Sequence, residues 1–339
     1  NVIVNDAATN NDTDSGMVQL SNNNWLIVFI EGTTLYYKIM NSTLSGDIVA
    51  KTSFGLTGAL SGIVMHRNRV NDRIAVMTAL SNSGRLFIST DATATTWGSV
   101  IDLTTITGAY LYSAWVNILS QTTTGNWMLY YGFKNSSYTD PQLNILDRPS
   151  FFISNTTSPT TVANFVYQST FFSSQASLNN FVQVDYSCFR WRAGTNEYVA
   201  FHNIYSYPSY GLHKVGYTIN GTSGAINSVF LTPTVNTVLK WELGVYNNIV
   251  YAFGKTSGNT IEVNKISASN VVTQIYSGYN PGISITNILC VLDGQSTLRV
   301  IYTVVANIYY ISYDTITDTF IGPAVLIDGN TSTNINSWG

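Results

Sequence analysis

The sequence predicts an all-β chain folded as a six-bladed β-propeller of four-stranded antiparallel blades. Three observations predict it. Val, Ile, Thr, Tyr, Phe and Trp, which suit pleated and half-buried surfaces, are abundant. No run rich in Ala, Leu, Glu and Lys supports a helix. Six segments share one grammar, an apolar strand that follows a turn, and their starts recur about every 50 residues apart from one longer gap in the middle.

In chain order, the repeated central strands are Trp25–Ile30, Arg73–Thr78, Trp127–Tyr131, Glu197–Phe201, Ile249–Phe253 and Leu298–Tyr302. Strand-like runs precede them, as at Gly16–Leu20, Gly62–Met65, Phe181–Asp185 and Ile285–Cys290. A third run follows each: Leu35–Ile39, Leu86–Ser89, Phe151–Ser154, Leu212–Gly216, Ile261–Lys265 and Ile308–Ser312. A fourth, weaker strand closes most units. Four short antiparallel strands in a unit of this length read as a propeller blade. A sandwich also shows short strands and frequent turns, but nothing in a sandwich requires the same four-strand grammar six times. Seven blades is the alternative, with the termini completing the extra one. The whole chain, residues 1–339, reads as one domain.

Composition narrows the function. Only 10% of residues are charged and the net charge is −3, so no basic patch suits a phosphate backbone and nucleic acid is not expected as a partner. No apolar stretch reaches the length of about 18 residues that would imply membrane insertion. The start, Asn1–Asp6, is not a signal peptide; it fits a processed terminus, or a protein such as a virion component that needs no signal. Cys188 and Cys290 are the only cysteines, each in an apolar strand pattern, and read as buried free thiols, with one disulfide as the alternative. Sequons at Asn11, Asn41, Asn135, Asn155, Asn220 and Asn330 are near chance in a chain this rich in Asn, Ser and Thr.

After the third strand, two units carry a matching turn. Ser89, Asp91 and Trp97 stand at the same offsets as Ser312, Asp314 and Phe320; Ser154 starts a weaker version, and Asn41 aligns with the aspartate in the first unit. The turn resembles the Asp-box of sialidase-like propellers, without its glycine and with one more residue before the aromatic. The aspartate can accept backbone N–H bonds within the turn, and the aromatic can plug the space between strands. In that family the box is structural and lies opposite the active site, so the resemblance implies structural roles for these six residues and no catalysis.

Loop lengths pick out the other face. Connections between second and third strands are short in most units, but unit three has one from Lys134 to Pro149 and unit four one from His202 to Gly211; the passage between those units, near Val166 to Asn180, is also long. Long loops in a compact domain tend to be functional or disordered. Together they carry Tyr138, Phe171, Phe172, Tyr205, Tyr207 and Tyr210 beside Asp140, Asp147, Arg148 and His202. Aromatic faces stack on sugar rings, and carboxylates, amides and guanidinium bind hydroxyls. These ten residues form the candidate ligand-binding set.

The sialidase resemblance invites a glycosidase reading, and the residues argue against it. The Phe/Tyr-Arg-Ile-Pro motif is absent. Of eight arginines, Arg67, Arg69, Arg73, Arg190 and Arg192 fall at the opposite end and Arg299 inside a strand, leaving Arg85 and Arg148, too few for a carboxylate-binding triad. A two-carboxylate glycosidase could draw on Asp140, Asp147, Asp185, Glu31 or Glu242, but nothing pairs any two of them. His66, His202 and His213 share no metal-ligand spacing. No catalytic residue, metal or cofactor is expected. The reading is an extracellular or virion-surface module, of spike or fibre type, that recognises a glycan or cell-surface receptor without catalysis. A sialidase-like glycoside hydrolase and a structural surface or appendage subunit are the alternatives. Homo-oligomeric or virion assembly stays open.

Overall fold

The computed structural model describes residues 15–81, 83–106, 111–135, 150–170, 181–184, 188–206, 211–223, 225–233, 238–256, 258–282, 284–292, 296–305 and 307–328. The chain falls into two compact units that divide near residue 174. Each holds three antiparallel sheets whose strands follow one another in sequence order.

In the first unit, the first sheet comprises β1 (Ser15–Gln19), β2 (Trp25–Glu31), β3 (Thr34–Met40) and β4 (Asp47–Thr57). The second comprises β5 (Leu60–Arg67), β6 (Ile74–Leu80), β7 (Ser83–Ile88) and the short β8 (Ile101–Asp102). The third comprises β9 (Leu111–Gln121), β10 (Trp127–Asn135), β11 (Ser150–Ser154) and β12 (Phe165–Thr170). In the second unit, the fourth sheet begins with two pieces, β13 (Phe181–Val184) and β14 (Cys188–Arg192), which both pair with β15 (Glu197–Ser206); β16 (Gly211–Asn220) and β17 (Ile226–Pro233) complete it. The fifth comprises β18 (Val238–Tyr246), β19 (Ile249–Thr256), β20 (Ile261–Ile266) and β21 (Val272–Tyr279); the sixth comprises β22 (Asn287–Leu292), β23 (Thr297–Val304), β24 (Asn307–Asp314) and β25 (Thr319–Asp328). Among the described residues, five sheets of four strands and one whose first strand is in two pieces are consistent with the sequence repeat.

The central strands have continuous apolar runs because both of their faces are covered. In β6, Ile74 and Val76 pack toward the first sheet with Leu26, Val28, Tyr37 and Phe87. The alternate residues Ala75 and Met77 pack toward the third sheet with Trp127, Leu129 and Phe152. Successive side chains of a strand point to opposite faces, so one strand serves two cores. β19 does the same in the second unit: Ala252 and Val250 join Trp241 and Leu243, while Tyr251 and Phe253 face the sixth sheet with Leu298, Val300 and Tyr313. The outer strand β4 has no such cover, and most of its residues are exposed.

Turns between first and second strands tie neighbouring sheets. Asn68 Nδ2 donates to the Gly125 carbonyl at 2.8 Å, and Gly194 N donates to Asn248 Oδ1 at 2.7 Å. Gly194 has a reason to be glycine, since a Cβ there would stand 2.1 Å from the Asn248 side chain. The most buried tie is Arg192, whose side chain is 0% exposed. Its guanidinium donates to Glu197 Oε2 at 2.7 Å, the Ser267 carbonyl at 2.7 Å, Asn270 Oδ1 at 3.0 Å and Thr195 Oγ1 at 2.8 Å. Asn227 Nδ2 donates to the other Glu197 oxygen at 2.7 Å. Burial pushes the Glu197 carboxyl up, but the bonds from Asn227, Arg192 and Thr195 outweigh it and hold it below the usual carboxylate range.

Two loop boundaries differ from the sequence expectation. The run from His202 to Ser206 is strand, with His202 opposite Val215 and Tyr205 opposite Leu212. Ile204 and Tyr205 favour a pleated surface, so the hairpin ladder continues through them to Ser206, opposite Gly211. The passage expected from Val166 onward begins as β12, which pairs with β11 through Thr170.

Candidate functional site

A pocket lies between the first and second sheets. It is a cavity of about 330 Å³ lined by Tyr37 of β3, Ser53 to Leu56 of β4, Phe87 of β7, Thr95, and Trp97 to Val100 ahead of β8. Four aromatic rings shape it. Trp97 meets Phe54 edge-on at 4.8 Å between centroids and Tyr37 at 5.7 Å; Phe54 also touches Tyr37 at 4.9 Å and Phe87 at 4.7 Å. Ser53, Thr95 and Ser99 are exposed and put hydroxyls at the rim.

Two local irregularities create the space. β4 pairs with β3 through several register shifts, and Gly55 takes φ +75°, a conformation that glycine adopts without a Cβ penalty. Its N–H donates to Ser53 Oγ at 2.9 Å. The opposite wall is the turn that carries Asp91. Asp91 Oδ1 accepts from Thr93 N at 2.7 Å and Thr95 N at 3.3 Å, and Oδ2 accepts from Thr96 N at 2.9 Å and Thr95 Oγ1 at 3.3 Å. Burial pushes the Asp91 carboxyl up, but the bonds from Thr93 and Thr96 overwhelm it and hold it well below the usual range. A fixed negative charge therefore backs the Thr95 side of the pocket, and no charged side chain lines it. The Trp97 indole Nε1 is buried with no acceptor within reach among the described residues.

The turn chemistry sorts the sequence-predicted residues differently from their spacing. Ser89 Oγ accepts from Ile74 N at 2.9 Å and donates to the Asp91 carbonyl at 2.7 Å. Ser154, the weaker sequence match, repeats this: its Oγ accepts from Trp127 N at 2.7 Å and donates to the Thr156 carbonyl at 2.6 Å. Ser312 instead stands opposite Arg299 in the regular β23–β24 ladder. Asp314 is the last ladder residue and caps a tighter turn, accepting from Ile316 N at 2.9 Å and Thr317 Oγ1 at 2.9 Å. The aromatics do agree: Phe320 packs against Tyr313 at 5.1 Å and Tyr279 at 4.7 Å between the fifth and sixth sheets, as Trp97 packs between the first and second.

Of the loop-borne set, Tyr138, Asp140, Asp147, Arg148, Phe171, Phe172, Tyr207 and Tyr210 lie outside the described residues, and His202 and Tyr205 are described in backbone only. Arg85, left open by the sequence for a ligand, is committed to Asp102 Oδ1 at 2.8 Å. Glu31 pairs with Lys51, whose ammonium also sits 4.3 Å over the Tyr36 ring. Among the described residues no three His, Cys, Asp or Glu side chains gather as a metal site, and no helix is long and apolar enough to cross a membrane. His66 is hydrogen-bonded to Gln121 and faces the Trp127 ring edge-on at 6.4 Å. Burial lowers its pKa to about 4, so it is neutral near pH 7. Tyr37, Phe54 and Phe87 were not singled out by sequence reasoning. The signal was Gly55 interrupting a strand between Phe54 and Leu56.

No family model and no curated protein sequence matches the chain. Solved structures do match it in fold. One of two prolyl endopeptidases analysed for inter-domain dynamics matches with a TM-score of 0.51 and 14% identity, over 94% of this chain and 45% of that one. An ulvan lyase of a new polysaccharide-lyase family matches with a TM-score of 0.57 and 9% identity, over 91% of this chain and 84% of that one. The Dos1 propeller matches with a TM-score of 0.52 and 11% identity, over 92% and 69%. The chain thus spans less than half the length of the endopeptidase. At these identities the likeness shows the fold, a β-propeller of four-stranded antiparallel sheets, and the functions of the neighbours are mixed.

Proposed function

We propose that this chain is a non-catalytic carbohydrate-binding module, presented outside the cell or on a virion surface as one propeller domain. The observation that carries the reading is the pocket between the first and second sheets. Its aromatic wall, the half-buried Phe54 and Trp97 backed by the buried Tyr37 and Phe87, offers an apolar face to a pyranose ring. Its hydroxyl rim, Ser53, Thr95 and Ser99, matches the ring's equatorial hydroxyls. A small number of polar groups around an apolar hollow is the usual make-up of a small-ligand site. A glycan-bearing receptor is the partner this chemistry fits.

The test is a glycan array probed with the full chain, followed by titration of the best ligand. Binding should be abolished by Val100→Trp. Val100 is 42% exposed, so the new ring fills the hollow without opening the core. Binding that survives Val100→Trp moves the site elsewhere, and an array with no positive glycan removes the carbohydrate reading. Release of a reducing sugar from any bound glycan would return the chain to the glycoside hydrolases.

A further inference from the structure

The geometry points to a ligand class for this pocket: we infer that it takes a neutral saccharide and rejects sialic and uronic acids, with the Asp91 carboxylate as the residue that discriminates. The inference rests on the carbohydrate-binding reading and adds its charge selectivity. Three observations carry it. No lysine, arginine or histidine lines the pocket, so a ligand carboxylate finds no cation. Both Asp91 oxygens lie 3.3 Å from atoms of Thr95, which lines the pocket, so the carboxylate stands one residue behind the wall. That carboxylate is held in place by backbone N–H groups of Thr93, Thr95 and Thr96, so it cannot swing away from an approaching anion.

The donors already used by Asp91 are also unavailable to a ligand anion. What remains at the site are the Ser53 and Ser99 hydroxyls, which serve a neutral sugar as donor or acceptor. The cavity of about 330 Å³ is at the small end of ligand sites, which suits a terminal ring in preference to an internal stretch of polysaccharide.

The experiment compares sugars that differ only at one carboxylate. The full chain is titrated with methyl β-glucoside against methyl β-glucuronide, methyl α-galactoside against methyl α-galacturonide, and N-acetylneuraminate, at low and high salt. The neutral member of each pair is expected to bind at least about fivefold tighter at low salt, the size of effect two like charges about 4 Å apart produce at the dielectric of bulk water. The gap should narrow at high salt. Asp91→Asn, which keeps an acceptor and removes the charge, should narrow it as well. If that variant does not fold, the salt series alone decides. Equal or tighter binding of the acids overturns the charge selectivity while leaving a carbohydrate site. A gap indifferent both to salt and to Asp91→Asn overturns the role of Asp91. Absence of binding by every sugar overturns the functional reading itself.

Discussion

Replacing Arg192 by Met should destabilise the second unit more than any surface change, and the hydrogen-bond network sets the size. The guanidinium is fully buried and donates to four acceptors from two separate stretches of chain, Thr195 and Glu197 in one and Ser267 and Asn270 in the other. Met fills much of the volume, so little cavity forms. What is lost is the cation beside Glu197 and the donors to the Ser267 carbonyl and Asn270 Oδ1. Breaking one side of a buried pair typically costs about 3–5 kcal/mol because the partner is left charged. Glu197 keeps the bond from Asn227 and its side chain is 12% exposed, which argues for the lower end, about 3 kcal/mol. The assay is urea denaturation of the single variants Arg192→Met and Glu197→Leu and of the double variant. The double variant should recover at least about 1 kcal/mol over Arg192→Met, because it removes the stranded carboxylate. A double variant no more stable than Arg192→Met would refute the reasoning, since the loss would then come from packing and not from an uncompensated charge.

Other outcomes follow from single groups. Asp91→Ala removes the acceptor for three backbone N–H groups in one turn and should cost about 2 kcal/mol, read as a lowered denaturation midpoint, whereas Asp91→Asn should cost less. The native His66 has its pKa lowered from 6.5 to about 4 by burial, while the unfolded chain takes up the proton near the ordinary value. The unfolded state therefore binds more protons between these values. The stability from a neutral His66 is complete above pH 6.5 and is lost as pH falls toward 4, at most on the order of 3 kcal/mol. His66→Gln should flatten the stability profile across that window, and an unchanged slope would assign the acid sensitivity to other groups.

Much of the fold was legible because strands, turns and their repeats are local properties of the chain. Trp25–Ile30 and Ile249–Phe253 announce central strands by unbroken apolar runs, since a strand covered on both faces needs no polar positions. The extents of hairpins were less legible. Tyr205 stands in a Tyr-rich run that reads as a loop, yet it pairs with Leu212 of β16, because pairing with the neighbouring strand decides what a short run becomes. The turn motif shows the same limit from the other side. Ser312 matches Ser89 in spacing but stands in a regular ladder, and Ser154 lacks the following aspartate yet makes the same two bonds. Spacing along the chain does not report which residue meets the neighbouring strand's N–H.

The amino-acid order determined the strand-and-turn grammar of the units and the aromatic that closes the turn after Asp91. Each depends on residues within about ten positions of one another, where steric preference and alternation act directly. The pocket was decided by tertiary structure alone. Tyr37, Phe54, Phe87 and Trp97 come from four segments of two sheets, and what brings them together is the packing of β4 against the Asp91 turn. That packing answers to the shared apolar surface of both sheets and to the backbone freedom of Gly55, and neither is a property of any one stretch of sequence.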